Sequence, residues 1–454
     1  MSGPPCSFEG DAMRIMLVYT NIGGFHENCY SPGLAYLVSA TLVAGHAVSV
    51  ELVETPEEIE FLKDVFVHAP PHVVGFSSVA SQFPHVRIIA RTFKRMSPST
   101  KVICGGVHPT IHPDCLLDSP EFDGAIRGEA EAAFLEYLDR LETGDTVETC
   151  PNYAYVKAGQ VVKNPMNPLV ADLDNLYPPD KDTYPYIRAV ARAGHAPFFF
   201  SRGCPYPCTY CCNHAIAEVY GLTSPAMRYR SPSASVSEIE AALERYPLER
   251  IVIRDDIFGL DPRWRDQFCE LFRCRIGRPF SVFSRVEIVS DRYCEALSRA
   301  GCVNVSMAVE SGCPEIRQVL GRPMSDEAII EAFDRVASFG IGTTAINMVG
   351  LPGETEEMIW QTIRLNRRIN PNDTRANVFY PYRGTTLGDM CFENGLVDHT
   401  RYSLFSNERR ESVLHFPQHY AQKINWYHNN WKKIVSNPMD FPDPYSVGCN
   451  RVAS

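Results

Sequence analysis

The 454-residue sequence has no excess of positive charge. Its 43 Lys and Arg stand against 54 Asp and Glu, a formal charge of −11, and no basic tail is visible. Nucleic acid is therefore a poor partner, because a polyanion needs a clustered basic surface. No apolar run approaches the roughly 18 residues of a membrane span; the longest, such as "RIMLVY" and "APFFFS", are strand-sized. The start of the chain lacks the charged and apolar stretches of a secretory signal. Its 16 cysteines are thus expected to be mostly free thiols in a reducing cytoplasm, not a disulfide framework. Repeats of solenoid period are also missing. What is left is a chain long enough for roughly two to four domains, each with its own interior.

Two series of alternating elements fill that length. In the first, a strand at "MRIMLVY" leads into "SPGLAYLVSATLVAGH", where Ser31 suits a cap, Pro32 the first turn and Gly45 the end. Strands at "AVSVELV", "HVVGFSS" and "KVICGG" follow, separated by helices expected at 56–66 and 83–96. Such alternation predicts an α/β fold, a Rossmann-like doubly wound parallel sheet over residues 1–150 with ligands beyond the carboxyl ends of its strands. Residues 151–190 are expected as a linker, proline-rich after a hairpin turning at Ala158-Gly159. A second series over 191–390 offers six strands, "APFFFS", "RIVIRDD", "PFSVFSR", "CVNVSMAVE", "GTTAINMVG" and "RANVFYPY". It predicts a full or partial β/α barrel with its chemistry at the strand C-termini. "SVSE" at 235–238 looks like a capping box. Residues 391–454 are expected as a small, mostly helical extension whose aromatic stretch "INWYHNNWKK" is irregular, and whose Trp426, Tyr427, His428 and Trp431 suit a core better than a substrate surface.

The loop after the first barrel strand reads "SRGCPYPCTYCCN", with Cys204, Cys208 and Cys211 in C-x3-C-x2-C spacing. Three thiolates on one loop can converge on an iron–sulfur cluster and leave one iron open for chemistry. A zinc site completed by Cys212 or His214, or a chance grouping in a cysteine-rich chain, fits the spacing as well. Cys212 reads as a small hydrophobe whose side chain points away from its neighbour's.

C-x3-C-x-aromatic-C in this position resembles the radical S-adenosylmethionine (radical SAM) enzymes, with Tyr210 as the aromatic. Five further stretches stand in the family's order: "RDDIF" (254–258), "SR" (284–285), "VESG" (309–312), "GLPGET" (350–355) and "PYRGTTL" (381–387), the last departing from the commoner form by its Arg383. The resemblance implies a partial (β/α)6 barrel holding a 4Fe–4S cluster whose open iron chelates S-adenosylmethionine and cleaves it to a 5′-deoxyadenosyl radical. It implies that Asp255 or Asp256 accepts from the cofactor's ammonium, Ser284 and Arg285 lie near its carboxylate, and Glu310 accepts from its ribose. Gly350 and Gly353 would let backbone approach the ligand. The same residues also suit helix caps and rim salt bridges.

The first series resembles the cobalamin-binding domain fused to one class of these enzymes. It does so in "SPGLAYLVSATLVAGH", "VVGFSSV", "ICGGVHPT" and "IRGEAEAAF". Ser77, Ser78, Gly105, Gly106, Gly128 and Glu129 would line the corrin cleft. The Asp-x-His-x-x-Gly string that supplies a histidine to cobalt is absent, leaving His26 and His108 as candidates by position alone. Together the resemblances imply a radical methylase of an unactivated carbon in a small molecule, fed electrons by an external donor such as flavodoxin or ferredoxin. Cyclisation, ring contraction or rearrangement without methyl transfer is the alternative. A methylthiotransferase or a non-catalytic corrin carrier is more remote.

Overall fold

The computed structural model describes residues 12–23, 30–68, 70–223, 225–404 and 408–445. They fall into two compact units, Met1–Ala171 with Asn175–Arg192, and Asp172–Asp174 with Ala193–Ser454.

The first unit alternates β1 (Arg14–Thr20), α1 (Pro32–Val43), β2 (Ala47–Val53), α2 (Glu58–His68), β3 (Val73–Ser77), α3 (Phe83–Met96), β4 (Lys101–Gly105), α4 (Val107–Ile111), β5 (Gly124–Ile126) and α5 (Glu131–Thr143). The sheet order is β2-β1-β3-β4-β5, all parallel. The order reverses beside β1, the switch point where doubly wound sheets bind ligands. Ser31 caps α1 by accepting from the Leu34 N–H, with Pro32 in the first turn. Apolar side chains of β1, β3, β4, α2 and α3 form one core, in which Phe66 and Phe93 stack at 4.4 Å.

The segment expected as a linker begins as part of this sheet. The hairpin β6 (Tyr153–Lys157) and β7 (Gln160–Lys163) adds two antiparallel strands beyond β5. Its turn has positive φ at both Ala158 and Gly159, the conformation that matches the twist of a two-residue hairpin. The free edge of the short strand β5 supplies the backbone partners that a hairpin standing alone would lack. Helix α6 (Tyr186–Ala193) comes next along the chain.

In the second unit β8 (Ala196–Phe198), β9 (Ser201–Arg202), α7 (Cys212–Val219), β10 (Arg228–Tyr229), α8 (Pro232–Arg245), β11 (Ile251–Ile253), α9 (Pro262–Arg275) and β12 (Phe280–Ser284) come first. Then follow α10 (Asp291–Ala300), β13 (Cys302–Glu310), α11 (Pro314–Val319), α12 (Asp326–Ser338), β14 (Gly342–Val349), α13 (Glu356–Ile369) and β15 (Asp373–Val378). Helices α14 (Thr386–Glu393), α15 (His399–Leu404) and α16 (Gln418–Ser436) close the chain. Six parallel strands lie in sequence order from β8 through β11 to β15, and among the described residues the two ends do not pair. The sheet is therefore a partial barrel.

Two local expectations fail for identifiable reasons. Helix α8 is capped by Ser231, which accepts from the Ala234 N–H, with Pro232 in its first turn; the proline's fixed φ starts the helix four residues before the "SVSE" box. The stretch expected as irregular is the 19-residue helix α16. Its Ile424, Tyr427, Trp431 and Ile434 are buried against β14, β15 and α13. Trp431 donates to Thr374 Oγ1 at 3.0 Å, so it and Tyr427 are core, whereas Trp426 is exposed.

Candidate active site

The cysteine loop leaves β9, which pairs with β10, through Gly203 at φ +87, where an added Cβ would stand 3.1 Å from the Ala226 carbonyl. Two other segments pin it. Thr209 donates from its N–H to Leu320 O (3.2 Å) and from Oγ1 to Val319 O (2.8 Å), and its own carbonyl accepts from the Leu387 N–H at 2.9 Å. Gly321, at φ +68, lies so close that a Cβ would meet Pro207 O at 2.5 Å. The loop's path is thus fixed by backbone contacts from both sides.

Cys204 and Cys208 are buried and Cys211 is half-buried. Burial pushes the Cys204 thiol up to about 12. Cys211 is the cap and Cys212 the first residue of α7, and the two neighbouring thiols influence each other's ionisation. The interaction raises the pKa of Cys211 and lowers that of Cys212.

Glu310 ends β13 at φ +65, after a register shift between Ala308 and Glu310. A left-handed glutamate costs about 1–2 kcal/mol and marks a side chain the fold aims deliberately. Its buried carboxylate accepts from Tyr210 OH at 2.8 Å. Burial raises its pKa, opposed by the field of Arg322 and by the tyrosine bond, and less by Arg409 and Arg285. The pair of aspartates divides. Asp255 is buried and brackets the start of the loop, accepting from Phe200 N (2.7 Å) and Ser201 N (3.2 Å), while its Oδ2 has no partner among the described residues. Burial pushes it up to about 7. Asp256 is the exposed member.

Ser284 faces inward and accepts from Tyr293 OH at 3.0 Å, a bond to α10. Arg285 is clamped by Glu287 and donates from Nη1 to Cys208 Sγ at 3.2 Å. The Gly350 N–H donates to Glu354 at 2.7 Å, and a Cβ there would meet Ile424 of α16 at 3.1 Å, so this glycine serves close helix packing. Sequence reasoning passed over Arg322, whose Nη1 reaches Cys208 Sγ at 3.8 Å and Nη2 Ala308 O at 2.6 Å. It also passed over Arg409, a positive-φ residue whose Nε donates to Tyr382 OH at 3.3 Å. An arginine set between Gly321 and Pro323 in a helix connection was the available signal for the first.

The loops at the strand ends of the first unit close on one another. Ser78 N donates to Gly105 O (2.9 Å) and accepts, through its carbonyl, from His108 N (3.1 Å). Gly106 is at φ +88, with room for no Cβ, since one would stand 2.7 Å from Ser78 N; Ser77 Oγ would be 3.1 Å away. Thr110 Oγ1 donates to Gly106 O and accepts from Gly128 N. Glu129 accepts from Val170 N at 2.9 Å and from Asn152 through its carbonyl. His108 is inside, its ring 4.5 Å from that of Phe83, and burial lowers its pKa to about 3. His26 lies outside the described residues. At the end of β1, Thr20 Oγ1 is buried without a partner among the described residues.

These residues suit the groups that the two folds accommodate. Soft thiols and orphaned polar atoms, Asp255 Oδ2 and Arg322 Nε, gather around the cysteine loop. Bare backbone and a free hydroxyl gather at the switch point of the first sheet. No three His, Cys, Asp or Glu among the described residues stand close enough to hold a single metal ion.

Comparison with known proteins agrees with both halves. Residues 198–365 match the radical SAM superfamily and residues 21–138 the B12 binding domain. The chain is 25% identical to the uncharacterized methyltransferase PH0819 of Pyrococcus horikoshii over 80% of this chain and 79% of that one. It is 25% identical to the anaerobic magnesium-protoporphyrin IX monomethyl ester cyclase of Rubrivivax gelatinosus, over 82% of this chain and 68% of the other. Among solved structures, the cobalamin-dependent S-adenosylmethionine radical enzyme OxsB superposes with a TM-score of 0.72 at 16% identity, covering 94% of this chain and 67% of that one.

The chain carries a radical SAM domain. It joins this domain to a B12-binding domain, and the pair implies a 4Fe–4S cluster, S-adenosylmethionine and cobalamin as its cofactors. Among the described residues no helix is long and apolar enough to cross a membrane.

Proposed function

We propose that this enzyme methylates an unactivated carbon of a small molecule. The observation that supports this reading most directly is a three-cysteine loop locked beside Glu310 in a chain that also carries a B12-binding domain. When bound, the cluster and S-adenosylmethionine supply a radical able to take hydrogen from carbon, and methylcobalamin supplies the methyl group. Cys204, Cys208 and Cys211 would hold the cluster. Glu310, oriented by Tyr210, would accept from the ribose hydroxyls, and Asp256 from the ammonium, both as charge-assisted bonds. In the first unit Ser77, Ser78, Gly105, Gly106 and Gly128 would present backbone and hydroxyls to the corrin and its tail. The electron would come from an external low-potential donor of the flavodoxin or ferredoxin kind.

The test counts products. A methylase consumes S-adenosylmethionine twice, so the holoenzyme with its substrate should release S-adenosylhomocysteine and 5′-deoxyadenosine in similar amounts. Label from the cofactor's methyl group should enter product, and omitting cobalamin should stop this. The second reading, a cyclase or rearrangement enzyme, draws on the likeness to the Rubrivivax cyclase at the same 25% identity. It predicts 5′-deoxyadenosine with little S-adenosylhomocysteine and no label in product.

A further inference from the structure

We propose that Arg285 and Arg322 are positioning residues that raise the reduction potential of the cluster by donating N–H···S hydrogen bonds to Cys208. This inference rests on the reading of Cys208 as a cluster ligand.

Cys208 is buried, and two guanidinium groups converge on its sulfur from different segments. Arg285 arrives from the end of β12 with Nη1 at 3.2 Å, and Arg322 from the α11–α12 connection with Nη1 at 3.8 Å. Neither side chain is free to swing. Arg285 donates from Nε and Nη2 to the two oxygens of Glu287, and its guanidinium lies over Tyr206, 3.7 Å from the ring centroid. Arg322 is fixed by its bond to Ala308 O, and its Nε is buried with no partner among the described residues. Burying an arginine is costly unless something negative lies against it. Arg285 has a carboxylate in contact; the partners that Arg322 touches, a carbonyl oxygen and a sulfur, are not carboxylates.

An arginine keeps its proton at any accessible pH, so each guanidinium is a fixed positive charge in a water-poor interior, where its field is strong. Accepting one electron makes a cluster one unit more negative. Donors and cations at a ligand sulfur favour that reduced state, and hydrogen bonds to the sulfurs are among the features that set cluster potentials. Arg322 makes no hydrogen bond to a carboxylate, although its field also acts on Glu310, and it should act mainly through its charge. Arg285, partly neutralised by Glu287 but nearer, should supply the more visible hydrogen bond. The arrangement gives the enzyme a cluster that an external donor can reduce more readily.

The experiment uses holoenzyme reconstituted anaerobically with iron and sulfide, without S-adenosylmethionine, so that cofactor binding plays no part. Potentiometric titration read by electron paramagnetic resonance should show Arg322→Gln with iron content intact and the reduced-to-oxidised ratio about tenfold lower at fixed potential, which is 59 mV for a one-electron couple. Arg285→Gln should shift it less, and Arg322→Lys, which keeps the charge, less than Arg322→Gln. Separately, electron–nuclear double resonance on the unmutated reduced enzyme should show a proton coupling that exchanges in D2O, diminished in Arg285→Gln. Unchanged potentials in both glutamine variants overturn the proposal, as does absence of an exchangeable coupling in the unmutated enzyme. If the glutamine variants lose the cluster, the unmutated enzyme's coupling decides alone. A wild-type chain that takes up no cluster overturns the underlying cysteine assignment instead.

Discussion

The two units meet the same problem, presenting groups at the carboxyl ends of parallel strands, with opposite chemistry. In the first, backbone and hydroxyls of the strand-end loops bond one another, Ser78 with Gly105 and His108, Thr110 with Gly106 and Gly128, and an uncharged hydroxyl, Thr20 Oγ1, is left without a partner among the described residues. In the barrel, carboxylates, thiols and guanidiniums crowd one loop, and two atoms of charged groups there, Asp255 Oδ2 and Arg322 Nε, are buried without partners among the described residues. A self-satisfied backbone floor suits a broad flat ring held by shape. A strained, charged, half-satisfied site suits small ligands held by directed bonds, because only such groups gain when the ligand arrives.

The largest break in that contrast should come from the cysteines. Cys204→Ala, Cys208→Ala and Cys211→Ala should each abolish cluster absorbance and all cleavage of S-adenosylmethionine, yet leave cobalamin uptake by the first unit intact. Cys212→Ala should keep its cluster; loss of the cluster there, with Cys211→Ala harmless, would reassign the third ligand.

Next in size is the converse substitution. Gly106→Ala forces a Cβ to within 2.7 Å of Ser78 N at φ +88, so the loop must move. We expect cobalamin binding to be lost and the first unit to be destabilised by about 1–3 kcal/mol, with cluster content unchanged. Cobalt spectra and iron analysis on the same sample separate the two.

A smaller effect is expected at Glu310. Glu310→Gln keeps the shape and an acceptor for Tyr210 but loses the charge. It should weaken S-adenosylmethionine binding by about 1.5–3 kcal/mol while the cluster stays full. Isothermal titration of the reconstituted enzyme measures this, and parallel loss of iron would assign Glu310 to folding.

These contrasts were unevenly legible in the sequence. The strand runs, the helix at 83–96 and the turn at Ala158-Gly159 follow from local pattern and turn chemistry, which act over a few residues. The hairpin's place on the sheet depends on β5, whose Ala125 pairs with Ala154, a partner that local pattern does not name. In α16 the spacing of Ile424, Tyr427, Trp431 and Ile434 was readable, but the Asn and His between them obscured the apolar stripe. The cysteines and Glu310 stand out because few residue types do their chemistry. Arg322 does not, since its meaning comes from meeting Cys208 across 114 residues of chain. His108 misleads in the other direction, as a strand-end histidine that packs into the core.

The smallest expected effect concerns how the turns of the second unit are braced. The barrel uses carboxyl groups: Asp255 holds the start of the cysteine loop, and Glu354 accepts from Gly350 N and Leu351 N. Burial pushes Glu354 up to about 8, and its Oε1 has no partner among the described residues. A carboxyl whose folded pKa lies above its unfolded value binds more protons when folded. Its contribution is therefore fully present below about pH 4.3 and fades as pH rises toward 8, with a slope of at most about 1.4 kcal/mol per pH unit. Glu354→Gln preserves the acceptor oxygen for both N–H groups and removes the titration. All four tryptophans, Trp264, Trp360, Trp426 and Trp431, belong to the second unit, so their fluorescence follows that unit alone. Urea midpoints read this way should fall between pH 5 and pH 8 in the unmutated protein and fall less steeply in Glu354→Gln. Equal slopes in the two would mean that Glu354 is ionised in the folded barrel throughout, stabilised by the two N–H donors against the cost of its burial.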